Sequence, residues 1–248
     1  MSTIYILWLR QLKRYFRSRA RIIGSLGQPL LFLVALGFGL SPIYQKAGED
    51  NYIQFLTPGI ISMGIIFTAL SSGIEIIWDK QFGFLKEMLV APVPRLQIMI
   101  GRTLGGATVA SLQGFIILLL SFLVGFKLEN ATSLPLMFIF VFLIALLFTA
   151  IGTAIASILK DVQGFQLIVN FLVMPLFFLS GALFPLQGLP KMLNIIANIN
   201  PLSYGVDGLR GTLANSFHFG LLSDFIVLGV IAALILALGS YLFSTIEA

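Results

Sequence analysis

Six long apolar stretches constrain the fold more than any other feature of this sequence. A helix that crosses about 30 Å of hydrocarbon needs roughly 20 predominantly apolar residues. Stretches of this kind cover residues 22–43, 53–78, 98–126, 134–159, 165–184 and 221–243. Only 10% of the 248 residues are charged, whereas an average soluble domain has about 25%. The sequence therefore predicts an all-α integral membrane protein with six transmembrane helices.

Residues 1–21 show a second pattern, in which two kinds of side chain recur at helical spacing. The basic stripe consists of Arg10, Arg14, Arg17 and Arg21, and the apolar stripe of Ile4, Trp8, Leu12 and Phe16. Such a segment is typical of an amphipathic helix in the membrane interface. A signal peptide is the alternative, but no clean small-residue cleavage site follows the apolar run. We expect one domain over residues 1–248, with the interfacial helix at 1–21 and the six spans within 22–248.

Basic residues are unevenly distributed between the connections. Most of them precede the first span or follow the second span, and Lys160 follows the fourth. Cytoplasmic loops of membrane proteins carry an excess of Lys and Arg, so this distribution predicts that both termini are cytoplasmic. The net charge of +5 has the same explanation. We therefore expect membrane lipid, and no nucleic acid, among the partners.

The connection between the second and third spans, WDKQFGFLKEMLVAPVPR at 78–95, is both charged and rich in large apolar residues. On a helix, one face would carry Phe82, Leu85 and Leu89, and a second ridge would carry Phe84 and Met88. Pro92 and Pro94 would end the helix, because proline lacks an N–H group and restricts the residue before it. We predict a short cytoplasmic helix over 80–90 with an apolar face. It either lies flat on lipid or fits a groove on a partner protein.

The connection before the last span, residues 184–211, is broken by several prolines and glycines. Pro190 and Pro201 each stand at a helix-start position, which predicts two short helices that dip back from the outer face. An ordinary outer loop is the alternative. Tyr204, Asp207 and Arg210 would share one face of the second helix, with Asp207 and Arg210 close enough to pair. Asn194, Asn198 and Asn200 can satisfy backbone groups at the breaks.

Several kinds of chemistry are missing from the sequence. The chain has no cysteine and one histidine, His218, which excludes disulfides, zinc–thiolate sites and iron–sulfur clusters. It has no P-loop motif for nucleotide phosphates, so we expect no cofactor on this chain, no metal and no enzyme activity. Charges within the predicted spans are few, and Glu75, near the cytoplasmic end of the second, could simply reach water rather than serve a proton relay. This favours an external energy source over a stand-alone secondary carrier or an intramembrane enzyme.

Three stretches, in this order, carry a family resemblance. They are LKRYFRSRARIIGSLGQPLLFLVALGFGL at 12–40, FGFLKEMLVAPVPR at 82–95, and FFLSGALFPLQGLPKMLNIIANINPLSYGVDGLRG at 177–211. Together they resemble the permease subunits of ATP-binding cassette (ABC) exporters of the type-2 class, and more narrowly the daunorubicin-resistance-like drug-export branch. The resemblance covers nearly the whole chain.

The resemblance implies a permease in the inner or plasma membrane of a prokaryote that moves an amphiphilic or lipophilic substrate, drug-like or lipid, out of the cytoplasm. Export of a polysaccharide or glycolipid is the alternative. It implies two copies of the permease and two copies of a separate ABC ATPase subunit, which would hold ATP and Mg²⁺. The dimer contact would involve spans one and five, where small residues allow close approach. Those residues are Gly37, Gly39, Ser180 and Gly181, with Gly101 and Gly105 as a competing small-residue motif.

The resemblance also assigns roles to individual residues. The coupling helix that contacts the ATPase would comprise Gln81, Phe82, Gly83, Phe84, Leu85, Lys86, Glu87, Met88 and Leu89. The outer gate would comprise Pro190, Asn194, Asn200, Pro201, Tyr204, Asp207 and Arg210. The interfacial helix with Arg10, Arg14, Arg17 and Arg21 would correspond to the connecting helix, which also touches the ATPase.

Overall fold

The fold was analysed in a computed structural model that describes residues 2–46, 51–84, 87–88, 93–129, 131–188 and 190–244. The described residues form helices and connecting turns and contain no strand. The helices are α1 (Thr3–Arg17), α2 (Arg19–Lys46), α3 (Tyr52–Ser71), α4 (Ile74–Gln81), α5 (Arg95–Val124), α6 (Leu134–Ile158), α7 (Val162–Phe178), α8 (Lys191–Ile199), α9 (Pro201–Ala214) and α10 (Leu221–Ser244). A short 3₁₀ turn, Ala131–Ser133, precedes α6.

Five helical segments among the described residues are long and apolar enough to cross a membrane. They are α2, the segment Tyr52–Gln81 that joins α3 and α4, α5, α6 and the segment Leu221–Phe243 of α10. The helix α7 is apolar but shorter, with 17 residues. These findings agree with a multi-pass membrane protein. Of the six predicted spans, only the fifth is not among these five long segments.

The predicted fifth span, 165–184, is helical only as far as Phe178. The chain then turns, and Gly181 has a φ of 75°, a left-handed conformation that glycine adopts without strain. Ala182 is fully buried, and Leu186 packs against Gly181. After Phe178 the chain therefore turns, with Ala182 buried and Leu179, Leu183 and Phe184 half-buried, and these apolar residues extend the hydropathy of the span beyond its helix.

The segment α3 forms the centre of the bundle. It packs against α2, α5, α6 and α9. In the most apolar 18 residues of the segment Tyr52–Gln81, 78% of the residues are buried inside the chain. By contrast, only 17% of the residues are buried in the most apolar 18-residue stretch of α2, and the same share in that of α10. The helix α7 contacts α3, α4 and α6 along a narrow strip. The large apolar side chains on these outer helices thus face lipid or another protein.

The helices alternate in direction, so the bundle has two ends. We call the end that carries α1, α4 and residues 157–161 the basic end. The end that carries residues 126–129, 131–133, 179–188 and 190–220 is the opposite end. Hydrogen bonds tie each end together: Lys80 to the last turn of α6 at the basic end, and the Glu129 N–H to the Leu213 carbonyl at the opposite end.

The N-terminal helix α1 is docked on the first half of α5. Its buried side chains are Leu7, Gln11 and Tyr15, which recur every four residues and so lie on one face. The Trp8 indole donates to Thr108 Oγ1 at 3.0 Å, and the Tyr15 hydroxyl donates to Gln113 Oε1 at 2.7 Å. Burial raises the pKa of the Tyr15 hydroxyl. The sequence predicted the helix correctly, but its burial against α5 was not expected.

The apolar stripe predicted for α1 is not its buried face. Phe16 is 61% exposed, and the stripe runs beside the face that contacts α5. The difference arises because Gln11 and Tyr15, which are polar or amphipathic, reach hydrogen-bonding or tightly packed positions on α5. Hydrophobicity alone therefore predicted a buried face of α1 that is shifted by about one residue from the face that contacts α5.

Two glycines of α5 explain how α1 approaches so closely. A Cβ atom at Gly101 would lie 2.9 Å from the Ile4 carbonyl oxygen, and one at Gly105 would lie 2.6 Å from Gln11 Cγ. The motif Gly101-x-x-x-Gly105 is thus used inside one chain, to seat α1. Gly37, Ser180 and Gly181 are also buried within the chain, whereas Gly39 has no atom within 4 Å of an added Cβ.

We predict that Gly105→Val displaces α1 from α5. Overpacking a close contact costs about 1–3 kcal/mol, so the midpoint of thermal unfolding in detergent should fall by several degrees. Gly229→Val is the matched control, because an added Cβ at Gly229 meets no atom within 4 Å. Equal midpoints for the two variants would contradict the docking of α1 through this glycine.

Candidate functional site at the two ends of the bundle

Two buried carboxylates lie at the basic end, on α4. Glu75 is 5% exposed and Asp79 is 6% exposed, and a spacing of four residues puts them on the same face of the helix. An isolated buried carboxylate is costly because it loses its hydration, so it needs partners that supply charge and hydrogen bonds. Glu75 therefore does not reach water, although its place near the end of the span would have allowed it.

Arginines from three other helices surround these carboxylates and form an ion-pair network. Arg10 of α1 binds both oxygens of Asp79, at 3.0 and 3.3 Å, and Arg102 of α5 binds the same carboxylate. Arg21 of α2 donates to Glu75 Oε1 at 2.8 Å. Arg14 of α1 also pairs with Glu75, with 3.7 Å between Nη1 and Oε2.

The network gives the predicted basic stripe a structural role. Arg10, Arg14 and Arg21 all bind acids of α4, whereas Arg17 is exposed at the end of α1. Arg102 is only 3% exposed, and Asp79 is its ion-pair partner among the described residues. The charges on α1 and α2 therefore fix the position of these helices on α4, in addition to any attraction to lipid.

The end of α4 is also fastened to the end of α6. Lys80 Nζ donates to the carbonyl oxygens of Ala156, Ser157 and Leu159, at 2.8, 2.7 and 3.2 Å. The last carbonyl groups of a helix have no partner within the helix, and a cation at this end interacts favourably with the helix dipole. Gln81 donates to the Lys160 carbonyl at 3.2 Å, which extends the contact beyond α6.

The segment after α4 is not the continuous helix predicted over 80–90. The helix α4 ends at Gln81, and Gly83 has a φ of 78°, so the chain changes direction there before helical geometry resumes at Phe84. Glycine tolerates this left-handed conformation, and it separates Phe82 from the ridge that one helix would have formed. Of the predicted coupling residues, Leu85, Lys86 and Leu89 lie outside the described residues.

The described coupling residues differ in exposure. Phe82 is 83% exposed and Glu87 is exposed, while Met88 packs partly against the core. The Arg10 guanidinium lies 4.2 Å from the centre of the Phe84 ring, a distance typical of a cation–π contact. Arg10 thus touches both Asp79 of α4 and Phe84 of the following segment.

At the opposite end, α8 and α9 form the two short helices predicted for residues 184–211. Pro190 and Pro201 stand at their starts. Asn200 caps α9 by accepting from Leu202 N at 3.0 Å and donates to the Leu176 carbonyl at 2.7 Å, so it satisfies backbone groups at the break as expected. Asn194 does not: it is exposed, and its side chain accepts from Asn198 at 3.5 Å.

The predicted ion pair between Asp207 and Arg210 is not formed. Arg210 donates to the carbonyl oxygens of Gly181 and Phe55, at 2.9 and 3.3 Å, and lies 3.9 Å from the centre of the Phe55 ring. Asp207 accepts from backbone N–H groups of the α9–α10 turn instead. Both side chains are buried, and the free backbone groups of nearby turns are within their reach, so each charge is satisfied by backbone rather than by the other.

Tyr204 completes this end by linking α8 to the α9–α10 turn. Its hydroxyl donates to the Asn198 carbonyl at 2.7 Å, and its ring stacks on Phe219 with 4.7 Å between centres. Burial raises the pKa of Tyr204. Asp224, in the last apolar helix, is fully buried in the same region. Sequence reasoning missed it, although a lone acid in an apolar span is itself a signal of function.

These features define the class of protein, a multi-pass membrane protein with charges concentrated at the ends of its helices. A family model described as ABC-2 type transporter matches residues 2–214. The chain therefore belongs to the ABC-2 type transporter family. This is a family of transport permeases rather than of catalytic enzymes, and its members typically work with an ATPase subunit.

Curated relatives agree with this membership. The chain is 32% identical over 219 residues to a putative transport permease ycf38 of Cyanophora paradoxa, covering 87% of this chain and 76% of that protein. It is 27% identical over 233 residues to nodulation protein J of Rhizobium leguminosarum bv. viciae, covering 90% and 86%. It is 25% identical over 207 residues to the inner membrane transport permease YadH of Escherichia coli K12, covering 82% and 80%.

We predict that Asp79→Ala destabilises the protein severely. Removing one partner of a buried ion pair costs about 3–5 kcal/mol, because the other charge stays buried without compensation. In this variant, the Arg102 guanidinium would stay buried without its ion-pair partner. Equilibrium unfolding of the full chain in detergent measures the loss. Glu129→Ala, at an exposed acid, is the control. The double variant Asp79→Ala with Arg102→Ala should lose less than the sum of the single losses, and strict additivity would contradict the pairing.

We also predict that Arg210→Ala loosens the opposite end. The variant removes two hydrogen bonds from a charged donor, each worth about 1.5–3 kcal/mol, and frees the turn that contains Gly181. Because the native chain has no cysteine, Ser203→Cys can report the change: Ser203 is 1% exposed, and its labelling by a polar thiol reagent should become severalfold faster. Lys127→Ala is the exposed control; equally slow labelling in both variants would contradict the role of Arg210.

Proposed function

We propose that this chain is the membrane subunit of an ATP-driven exporter, working as two copies with two copies of a separate ABC ATPase subunit. ATP and Mg²⁺ would bind to the ATPase, which agrees with the lack of a P-loop motif in this sequence. The observation that carries the proposal is the ion-pair network on α4. It joins α4, which directly precedes Phe82, to α1, α2 and α5.

The segment 82–88 is the proposed contact with the ATPase. Phe82 and Glu87 extend from the basic end with little cover from the rest of the chain. An exposed aromatic anchor beside charged groups suits a groove on a protein partner, and such anchors carry much of the binding energy of interfaces. A displacement of this segment would act on α4 through the backbone and on α1 through the contact of Phe84 with Arg10.

Six spans and cytoplasmic termini are part of the proposal. The helix α7 has 17 residues, or about 25 Å at 1.5 Å per residue, which is close to the thickness of the hydrocarbon layer. Its exposed side chains include Leu167, Phe171 and Met174, as expected for a helix in lipid. The arginines of α1 and α2 favour a cytoplasmic position for the basic end under the positive-inside rule, in the cell membrane of a prokaryote.

The second copy of the chain is proposed to contact α2 and α7. These two helices expose large apolar side chains, including Leu31 and Phe38 on α2 and Phe171 on α7. Small residues play less part in this contact than the sequence suggested, because Gly37, Ser180 and Gly181 are buried within one chain. The contact would therefore rest on interlocking large side chains, with Gly39 as the open small residue.

The proposed substrate is amphiphilic or lipophilic, drug-like or lipid. A cavity of about 350 Å³ lies between α2 and α3 near the ion-pair network, lined by Tyr15, Arg21, Gly24, Ser25, Gln28, Pro29, Phe67, Thr68 and Ser71. Its hydroxyl, amide and guanidinium groups suit the polar part of an amphiphile, and the exposed apolar face of α2 suits the apolar part. The drug-export branch remains a proposal that rests on the sequence resemblance.

We propose further that α8 and α9 close the pathway at its outer end. The helix α9 is buried on most of its surface, against α3, α6 and α10, whereas α8 exposes Met192, Ile195 and Ile199. A buried helix joined to an exposed amphipathic one is suited to act as an outer closure. Its movement would require Arg210 and Asp207 to exchange their backbone partners.

The experiment that tests the function is co-purification with an ABC ATPase, for which an adjacent gene is the first candidate. We expect Phe82→Ala to reduce ATPase retention more than tenfold, because the loss of an interface anchor costs about 2 kcal/mol or more. It should leave unfolding unchanged, since Phe82 is exposed. Phe217→Ala, also exposed but at the opposite end, should retain the ATPase. Full retention by Phe82→Ala, or ATP-independent export, would count against the proposal.

A further inference from the structure

Two carboxyl groups meet inside the opposite end of the bundle. Asp207 lies on α9 and Asp224 lies near the start of α10. Asp207 is 3% exposed and Asp224 is 0% exposed, and the Asp224 carboxyl group lies within hydrogen-bonding reach of the Asp207 carboxyl group. Two carboxylates in contact repel each other strongly where water is excluded, so such a pair cannot remain fully ionised without compensation.

The hydrogen bonds at this site are distributed very unequally. Asp207 accepts from His218 N at 2.7 and 2.9 Å and from Phe219 N at 2.8 Å. These three contacts give the Asp207 carboxyl group hydrogen-bond donors. Both oxygens of Asp224, by contrast, are buried without a hydrogen-bond donor among the described residues. A buried carboxylate without any donor is the unfavourable half of the pair.

The charged and titratable groups around Asp224 do not supply the missing donor. Tyr204 is close, but its hydroxyl proton is given to the Asn198 carbonyl. Arg210 is directed to the Gly181 and Phe55 carbonyl oxygens, and the His218 ring meets Gln187. On the neighbouring loop, Lys127 and Glu129 are exposed, and α6, which packs on α10, contains no ionisable residue.

We propose that Asp207 and Asp224 share one proton, which Asp224 carries and donates to Asp207. The proton turns a repulsive contact into a hydrogen bond between α9 and α10. It supplies the donor that Asp224 lacks and leaves Asp207 ionised towards the backbone of residues 218 and 219. A proton is thus a ligand of this site, and it fastens the short buried helix to the last apolar helix.

A metal cation explains the site less well than a proton. Of about four acceptor positions on a carboxylate, the backbone contacts occupy three on Asp207, which leaves one for a donor, and no group of three or more potential metal ligands occurs among the described residues. Cations such as Ca²⁺ require six or more oxygen ligands. Within this pair, only the two Asp224 oxygens have no hydrogen-bond partner among the described residues and could bind a cation.

The consequence is a contact that depends on pH. While the proton is bound, α9 and α10 are joined, and as the pH rises the proton is lost and the two carboxylates repel. Asp224→Asn mimics the protonated state, since its amide group donates to Asp207 at every pH. Loss of the proton should therefore open this end in the wild type, whereas Asp224→Asn should keep it closed.

The test uses the full chain in lipid nanodiscs with Ser203→Cys as reporter. In the otherwise native background, labelling should be slow at neutral pH and severalfold faster at alkaline pH. With Asp224→Asn it should be slow at both, and with Glu129→Gln it should follow the native background. Infrared difference spectra should contain a protonated-carboxyl band at neutral pH that Asp224→Asn removes and Glu129→Gln keeps.

Three results would overturn the proposal. The first is the absence of a protonated-carboxyl band that depends on Asp224. The second is a pH response of labelling that persists in Asp224→Asn. The third is suppression of the alkaline response by added sodium or calcium ions, which would identify a metal cation as the ligand. None of these results bears on binding of the ATPase, so the test is independent of the proposed function.

Discussion

The buried carboxylate of Asp79 is the constraint on which the basic end depends. A carboxylate that is removed from water needs both charge and hydrogen bonds from its surroundings, and Asp79 obtains them from Arg10 and Arg102. Glu75, one turn earlier, draws Arg21 and Arg14 to the same helix. The short helix α4 thereby fixes α1, the start of α2 and the first turns of α5. Buried ion pairs of this kind contribute little net stability, and here they join α4 to three other helices.

The two ends of the bundle satisfy their charges in different ways. At the basic end, arginines and acids from separate helices pair with one another. At the opposite end, Asp207 and Arg210 are only three residues apart, yet each is bound by backbone groups of turns. The physical reason is geometric. Turns at helix ends leave N–H and carbonyl groups without partners, and a buried charge satisfies itself and the turn in one contact.

Membership of the ABC-2 type transporter family gives these contacts a functional setting. In the proposed exporter, the segment 82–88 receives movement from an ATPase, and the network on α4 distributes it to α1 and α5. The docking of α1 on Gly101 and Gly105 places the N-terminal helix in direct contact with the bundle. Movement at the basic end would therefore involve α1 and α5 together.

The sequence by itself determined the class of fold, because long apolar stretches with few charges permit little other than membrane helices. It also predicted α1, the broken pair α8 and α9, and the basic stripe. Its errors have identifiable causes. The predicted fifth span was too long because apolar residues continue beyond Phe178, where the helix ends and the chain turns. The coupling segment was predicted as one helix because a helical pattern of apolar residues outweighed Gly83.

Only the tertiary structure decided which charges meet. The partners of Glu75 and Asp79 come from α1, α2 and α5, and they are separated from these acids by up to 69 residues. The contact between Asp207 and Asp224 likewise joins two helices across a turn. Local spacing predicts contacts within one helix, such as the pair of Asp207 with Arg210 that is not formed. It carries no information about partners on other helices, because desolvation and packing set those contacts only once the bundle has assembled.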